Sequence, residues 1–481
     1  MTTYMNFIDN EWTAAYDGRT IEVLDPSTGE AFAQIARSGG SEVGRAVQAA
    51  RHAFDGEWGG MAPAARSRLL FRISQALLDH VDELAALEQR DTGKPTGQAR
   101  ADALAAARYF EFYAGAVDKL HGQTIPYPQE FTVLTLREPH GVTGHIVPWN
   151  YPLQIFGRSV AASLAAGNAC VVKPAEDACL SLLRVAQIAA DTGLPAGALN
   201  IVTGLGAEAG AALAGHPGID HISFTGSPQT GQAVQQAATA NFVPVTMELG
   251  GKSPQIVFSD ADIDAALPVL LSSIVQNAGQ TCSAGSRLLV QRAIYSDVVG
   301  RLSELFQATR TGAAADDPDC GPLINARQLA RVQGYLQEAD EAGISVAARG
   351  QLDANAPGGG FYQVPVLLGD VPPDHRLAQE EIFGPVLCAI PFDTEEEALR
   401  IANSTAYGLV AAVWTQDGAR QFRLARQLRA GQVFINNYGA AGGVELPFGG
   451  SGQSGYGREK GVEALYGFTK LKTVAVRHGR S

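Results

Sequence analysis

From residue 142 onward the sequence repeats one unit, a short β-branched run followed by a stretch of helical spacing. The runs are VTGHIV (142–147), ACVVK (169–173), ALNIV (198–202), IDHISF (219–224) and FVPVTM (242–247). Between them lie helical stretches near 152–166, 178–192, 207–215 and 228–238. Runs this apolar belong to strands buried on both faces, and strands joined through helices lie parallel. Such a sheet binds ligands at the carboxyl ends of its strands. The alternation restarts with PQIVF (254–258), a helix near 262–277 and SRLLV (286–290), and continues to about 435, which predicts a second α/β domain. Ahead of both, residues 41–120 read as helices, because Val43, Ala46, Val47, Ala50 and Phe54, then Leu69, Leu70, Ile73, Leu77 and Leu78, recur at steps of three and four. Their breaks are Pro63 and the turn Asp91-Thr92-Gly93-Lys94-Pro95. Two segments fit neither series, 121–137 and the tail KTVAV (472–476). Both read as strands that pair outside their own domain, and a free strand edge invites subunit association.

At 481 residues the chain is long enough for several domains with ample cores. Lys and Arg number 36 against 49 Asp and Glu, a formal net charge of −13, which disfavours a nucleic-acid or anionic-membrane partner. The five cysteines, Cys170, Cys179, Cys282, Cys320 and Cys388, are odd in number and irregularly spaced, as free thiols in a reducing compartment would be. The start, MTTYMNFIDNEW, has no basic segment followed by an apolar one, and no run reaches the roughly 18 apolar residues of a membrane span. The expectation is a soluble cytoplasmic protein. No histidine has metal-ligand spacing, so no metal site is expected.

Cys282, in Gly279-Gln280-Thr281-Cys282-Ser283-Ala284-Gly285, falls in a loop of small residues between a predicted helix and a predicted strand. A thiolate there would be an accessible nucleophile, although most cysteines are apolar filler. Glu248 ends the fifth strand ahead of Gly250 and Gly251. It reads as a general base for water, or equally as a solvated terminus or an ion pair with Lys252. Asn150, in Pro148-Trp149-Asn150-Tyr151-Pro152, has the usual setting of a helix cap, but flanking prolines also suit a fixed donor to an oxyanion.

Features suited to a nucleotide end the strands of the first series. Lys173 and Glu176, in KPAE, could meet a ribose, an acid there favouring NAD over NADP. Gly204-Leu205-Gly206 through Gly210 places its last glycine one position late for the usual dinucleotide fingerprint. Phe224-Thr225-Gly226-Ser227 precedes a helix whose first amides suit a phosphate. The stretch 447–461 is too glycine-rich for a strand or helix and reads as a loop able to approach another segment closely.

PWNYP (148–152), KPAE (173–176), FTGS (224–227), MELGGK (247–252), GQTCSAGSR (279–287), EIFGPV (381–386) and PFGGSGQSGYGREKG (447–461) together resemble the NAD(P)-dependent aldehyde dehydrogenase superfamily, in order and approximate spacing. The resemblance implies an α/β fold with a Rossmann-like cofactor domain (1–120 and 138–247), an α/β catalytic domain (248–446), a small β oligomerisation arm (121–137 and 462–481) and a glycine-rich loop (447–461) near the active site. It implies that Cys282 is the nucleophile, Glu248 the general base, and Asn150 with the Cys282 amide the oxyanion donors. It further implies that NAD, with NADP also possible, is held at Lys173 and Glu176 (adenosine ribose), Gly206 and Gly210 (adenine side), Ser227 (pyrophosphate), Glu381 (nicotinamide ribose) and Phe383 (nicotinamide ring). Ile146, Val147, Pro148, Trp149, Phe224, Gly226 and Leu249 would line the cleft. The implied partners are an aldehyde and further copies of the chain, as a homodimer or homotetramer. Arg158, eight residues past Asn150, resembles the arginine of semialdehyde-type members and could pair with a distal carboxylate, or could be an exposed helix residue or an interdomain ion pair. Tyr151 could form an aromatic wall. Two rival chemistries use the same cysteine: a coenzyme-A-acylating dehydrogenase, which typically lacks the acid at Glu248, and a cofactor-independent cysteine hydrolase, which needs a paired histidine.

Overall fold

The computed structural model describes residues 1–478, so the end of the segment 462–481 lies outside the described residues. Three of the five sheets among the described residues organise the chain. The first has eight strands in the spatial order Gly455–Tyr456, Val245–Glu248, His221–Thr225, Val142–Val147, Ala169–Pro174, Leu199–Ile201, Asn6–Ile8 and Glu11–Thr13. The five strands from Val245–Glu248 to Leu199–Ile201 are parallel, joined by helices, and fall on the five predicted runs. Val142, Val171, Val172, Ile201 and Ile222 are fully buried, each side chain contributing roughly 1.5–3 kcal/mol of transfer free energy. The chain's direction across this sheet reverses between Val142–Val147 and His221–Thr225. That switch point opens a crevice at the carboxyl ends of these two strands, where PWNYP and FTGS begin.

The two ends of this sheet come from distant sequence. Asn6–Ile8 pairs antiparallel with Leu199–Ile201, and Gly455–Tyr456 pairs antiparallel with Val245–Glu248. The second of these differs from the loop expected over 447–461: glycines there leave room for the main chain to pair against Met247 and Glu248. The helix Glu463–Gly467 also differs from its sequence grouping with the arm, since Ala464, Leu465 and Phe468 pack into the core beneath the first sheet.

The second sheet runs Ser345–Arg349, Val366–Gly369, Val386–Phe392, Arg287–Gln291, Pro254–Val257, Val410–Trp414 and Gln432–Ile435, parallel except for the first strand, and it has its own apolar core. The third sheet joins Thr469–Arg477, Phe131–Pro139 and Thr124–Ile125 antiparallel. The two segments that fitted neither series thus pair with each other, and the outer edge of Thr469–Arg477 has no partner among the described residues. No helix among the described residues is long and apolar enough to cross a membrane.

Candidate active site

Cys282 sits in the loop between the turn Gln276–Gly279 and the strand Arg287–Gln291. It is the one partly exposed cysteine; Cys170, Cys179, Cys320 and Cys388 are buried, and all five are free thiols. The loop enters through Asn277 and Ala278, both in the left-handed region (φ 50° and 51°), a strained path for non-glycine residues. Side chains hold it there. Asn277 Nδ2 donates to the Asn150 carbonyl at 2.9 Å, Gln280 Nε2 to the Asn277 carbonyl at 3.1 Å, and the Ile324 N–H to Gln280 Oε1 at 2.9 Å. Among the described residues the Cys282 N–H donates to no protein acceptor.

Asn150 does not cap the helix Pro152–Phe156, which has no side-chain cap. Its Nδ2 instead donates to the Gln280 carbonyl at 3.0 Å, which brings the end of the first strand against the cysteine loop. Tyr151 makes a second tie, its hydroxyl 2.9 Å from Thr281 Oγ1. Asn150 is 5% exposed, so its second amide hydrogen lies in a sheltered site.

Glu248, 1% exposed, ends the strand Val245–Glu248, and among the described residues neither carboxylate oxygen has a hydrogen-bond partner. It is therefore neither a solvated terminus nor an ion pair with Lys252, whose Nζ is also unpartnered. Burial, reinforced by Glu459, holds its carboxyl well above the ordinary range, against the pull of Arg158 and Arg458. The glycine-rich segment closes over it. A Cβ at Gly449, whose φ is 152°, would stand 2.6 Å from Glu248 Oε1, so only glycine fits there.

Burial pushes the Cys282 thiol up to about 12; Arg158 opposes that rise, Glu381 and Glu248 add to it, and the Ser283 N–H favours the thiolate. No histidine is among these groups. Cys282 also packs on the apolar cluster of Leu409, Val410, Ala412, Phe434 and Phe448. Arg158 lies over the Phe448 ring at 5.0 Å and forms an ion pair with Glu459, itself bonded by Ser223 Oγ at 2.8 Å. Arg158 is thus a buried, paired residue, 7% exposed, and Glu459, Glu248 and Cys282 outweigh its desolvation and hold its charge firmly. Glu459 was missed from sequence. The one available signal was a lone acid, flanked by Arg458 and Lys460, at the end of the glycine-rich stretch 447–461.

The remaining candidates cluster along the crevice. Trp149 meets Phe383 edge to face at 5.4 Å, joining the first strand's end to a turn of the second sheet in which Phe383 has φ 62°. Gly251, Thr281, Glu381 and Phe383 line one small cavity. Glu381 Oε1 accepts the Gly251 N–H at 2.9 Å, and burial pushes its carboxyl up to about 7. Ile146 and Val147 occupy the last turn of the strand before Pro148. Lys173 Nζ is 2.8 Å from Glu176 Oε2; burial opposes charge on Glu176, yet Lys173 holds it below the ordinary range. Gly206 and Gly210 bound a π-turn, and a Cβ on Gly206 would meet nothing within 4 Å. Phe224 is buried, the Gly226 N–H donates to the Glu248 carbonyl at 3.0 Å, and the Leu249 N–H to the Ser454 carbonyl at 3.1 Å. Ser227 caps the helix Pro228–Thr239 by accepting the Thr230 N–H at 3.2 Å.

The sequence matches the model of the aldehyde dehydrogenase family over residues 12–474. It is 41% identical to an aldehyde dehydrogenase of Emericella nidulans over 475 residues, 98% of this chain and 95% of that protein. A Burkholderia cenocepacia crystal structure bearing the aldehyde dehydrogenase name is 68% identical, with a TM-score of 0.98 over 99% of this chain and 100% of the other. An NAD+ complex of an aldehyde dehydrogenase from Bacillus cereus is 39% identical, with a TM-score of 0.96 over 99% and 96%. The chain belongs to the aldehyde dehydrogenase family and is an enzyme that oxidises aldehydes.

Proposed function

We propose that the chain oxidises an aldehyde to its carboxylic acid through a covalent Cys282 adduct, with NAD as the oxidant and water as the acceptor of the acyl group. The observation that carries this reading is the meeting of a partly exposed thiol, a buried unpartnered carboxylate and a sheltered amide donor, from Cys282, Glu248 and Asn150. The donor set fits a dinucleotide: Gly206 faces open space where a side chain would stand, the Pro228–Thr239 helix begins beside the crevice, and Lys173–Glu176 offers a ribose a cation and an acid. Lys173 and Glu176 would hold the adenosine ribose, and Glu381 the nicotinamide ribose. When bound, NAD supplies a hydride acceptor.

In this reading the Cys282 thiol gives its proton to solvent, Sγ attacks the aldehyde carbon, and the developing oxyanion takes hydrogen bonds from Asn150 Nδ2 and the Cys282 N–H. After oxidation the acyl group remains on Cys282 as a thioester. Glu248 takes a proton from water, whose oxygen attacks the acyl carbon and releases the acid and the thiol. A single oxyanion donor typically contributes about 10²–10³ in kcat. Asn150→Ala is expected to lower kcat by about that factor, with little change in NAD affinity by fluorescence titration. An unchanged kcat removes Asn150 from the mechanism. NADH formation on aldehyde addition tests the whole reading; ester cleavage without dinucleotide would favour the hydrolase, and acyl transfer to coenzyme A in preference to water would favour the acylating dehydrogenase.

A semialdehyde substrate is a second reading, supported by the burial of Arg158 against Phe448, on which Cys282 also packs. A substrate carboxylate would have to share the guanidinium with Glu459. The expected result is higher kcat/KM for carboxylate-bearing aldehydes than for aliphatic or aromatic ones, an advantage that Arg158→Ala removes. Equal values across that panel end the reading. The edge of Thr469–Arg477, unpartnered among the described residues, supports a homodimer or homotetramer, and five free thiols support a cytoplasmic location.

A further inference from the structure

We propose that Lys94 is a positioning residue for the nucleophile, acting through the Tyr151 ring on the residue next to Cys282. The proposal rests on Cys282 being the nucleophile.

Lys94 comes just after the left-handed Gly93 that ends the helix Val81–Thr92, and it is 1% exposed. A lysine is almost never buried so fully without partners. Its Nζ lies 3.2 Å from Glu88 Oε1 and contacts Asp102 Oδ2. The other oxygens of these acids are also bonded, Glu88 Oε2 by Ser181 Oγ at 2.8 Å and Asp102 Oδ1 by Gln154 Nε2 at 2.5 Å. An ammonium carries three N–H donors. Two serve the carboxylates, and on its remaining side Nζ stands 4.1 Å from the centroid of the Tyr151 ring, over its face.

The clamp leads to the site. Tyr151 stands just ahead of the short helix Pro152–Phe156, its ring packed against the core and faced by Lys94. Its hydroxyl reaches Thr281 Oγ1, and its neighbour Asn150 holds the Gln280 carbonyl. The loop with strained Asn277 and Ala278 therefore hangs from Asn150 and Tyr151 just before Cys282. Glu88, Asp102 and Gln154 fix Lys94, Lys94 fixes the ring, and the ring fixes Thr281. A role confined to bolting helices together would alter melting temperature without altering the reactivity of folded Cys282.

The test uses the full-length protein, with three readouts: the second-order rate of iodoacetamide labelling at Cys282 read by peptide mass spectrometry, kcat and KM with propanal and NAD, and melting temperature. Tyr151→Phe keeps the ring and deletes its bond to Thr281. The pair Glu88→Gln with Lys94→Gln removes the cation while leaving the formal charge of the cluster unchanged. Each is expected to lower both the labelling rate and kcat about tenfold, the scale of a small misplacement of a reacting group, with the KM for NAD unchanged. Adding the pair to Tyr151→Phe is expected to lower the labelling rate no further, because both act along one path. Lys94→Arg, which keeps the charge but moves it on the ring, is expected to lower labelling also. Wild-type labelling and kcat in Tyr151→Phe or in Lys94→Arg, whatever the melting temperature, overturn the proposal. So do independent, multiplying effects in the combined variant. Turnover that survives Cys282→Ala would instead overturn the underlying nucleophile reading, so the two failures are distinguishable.

Discussion

Cys282→Ala is expected to abolish aldehyde-dependent NADH formation, both the first turnover and the steady state, by a factor on the order of 10⁵ or more, the scale on which a lost nucleophile acts. No other thiol can substitute, because Cys170, Cys179, Cys320 and Cys388 are buried in the strand and helix packing. The substitution removes one sulfur from a loop whose shape is set by Asn277, Gln280 and Asn150, none of which bonds to that sulfur. The melting temperature should therefore stay within a few degrees of wild type, and dinucleotide titration should give an affinity close to wild type, since Lys173, Glu176 and Ser227 stand on other strand ends. Retained binding with lost chemistry is the decisive pairing. Residual turnover within tenfold of wild type would show that the sulfur is not the attacking atom.

What the sequence made legible follows from the range of the interactions involved. Val142–Val147 begins and ends where its β-branched run does, and the helix Ile263–Val275 falls within the predicted span, because apolar periodicity is a local signal. Asn6–Ile8 and Gly455–Tyr456 could not be read in the same way. Each is a very short strand made by pairing with a distant edge, and neither has a run long enough to show alternation. The site divides along the same line. Cys282, Glu248 and Asn150 stand in motifs whose local setting, a small-residue loop or a strand end, already suggests chemistry. The partner of Arg158 carries no such mark, because a buried ion pair between a helix residue and the end of a glycine-rich segment leaves no spacing pattern in either. The Glu88–Lys94–Asp102 cluster was hidden for the same reason. Glu88 and Asp102 look like ordinary charges on amphipathic helices, and Lys94 like an ordinary turn residue, until the helices pack. Asn150 shows the opposite error of local reasoning: its position just ahead of a helix suggests a cap, and only the fold turns its amide toward Gln280.

Glu248→Gln is expected to separate the two halves of the reaction. The substitution keeps the shape that Gly449 is built around but removes the base, so the first half should still deliver about one NADH per active site while the thioester persists on Cys282. Steady turnover should then fall by about 10²- to 10⁴-fold, the usual worth of a positioned general base. The same carboxyl sets a pH dependence whose sign follows from its environment. Burial and Glu459 raise its pKa, so at low pH it carries a proton and cannot accept one from water. Wild-type thioester hydrolysis should therefore rise with pH through that raised pKa and level off once the carboxylate is ionised. In the Gln variant this limb disappears, and the slow residual hydrolysis follows hydroxide concentration alone. Rapid-mixing absorbance at the NADH band measures the burst, and intact-protein mass spectrometry measures the acyl adduct. Unchanged steady turnover, or a wild-type pH limb surviving in the variant, would move the base to another group, such as Glu459, whose charge acts on Glu248 and which is already paired with Arg158.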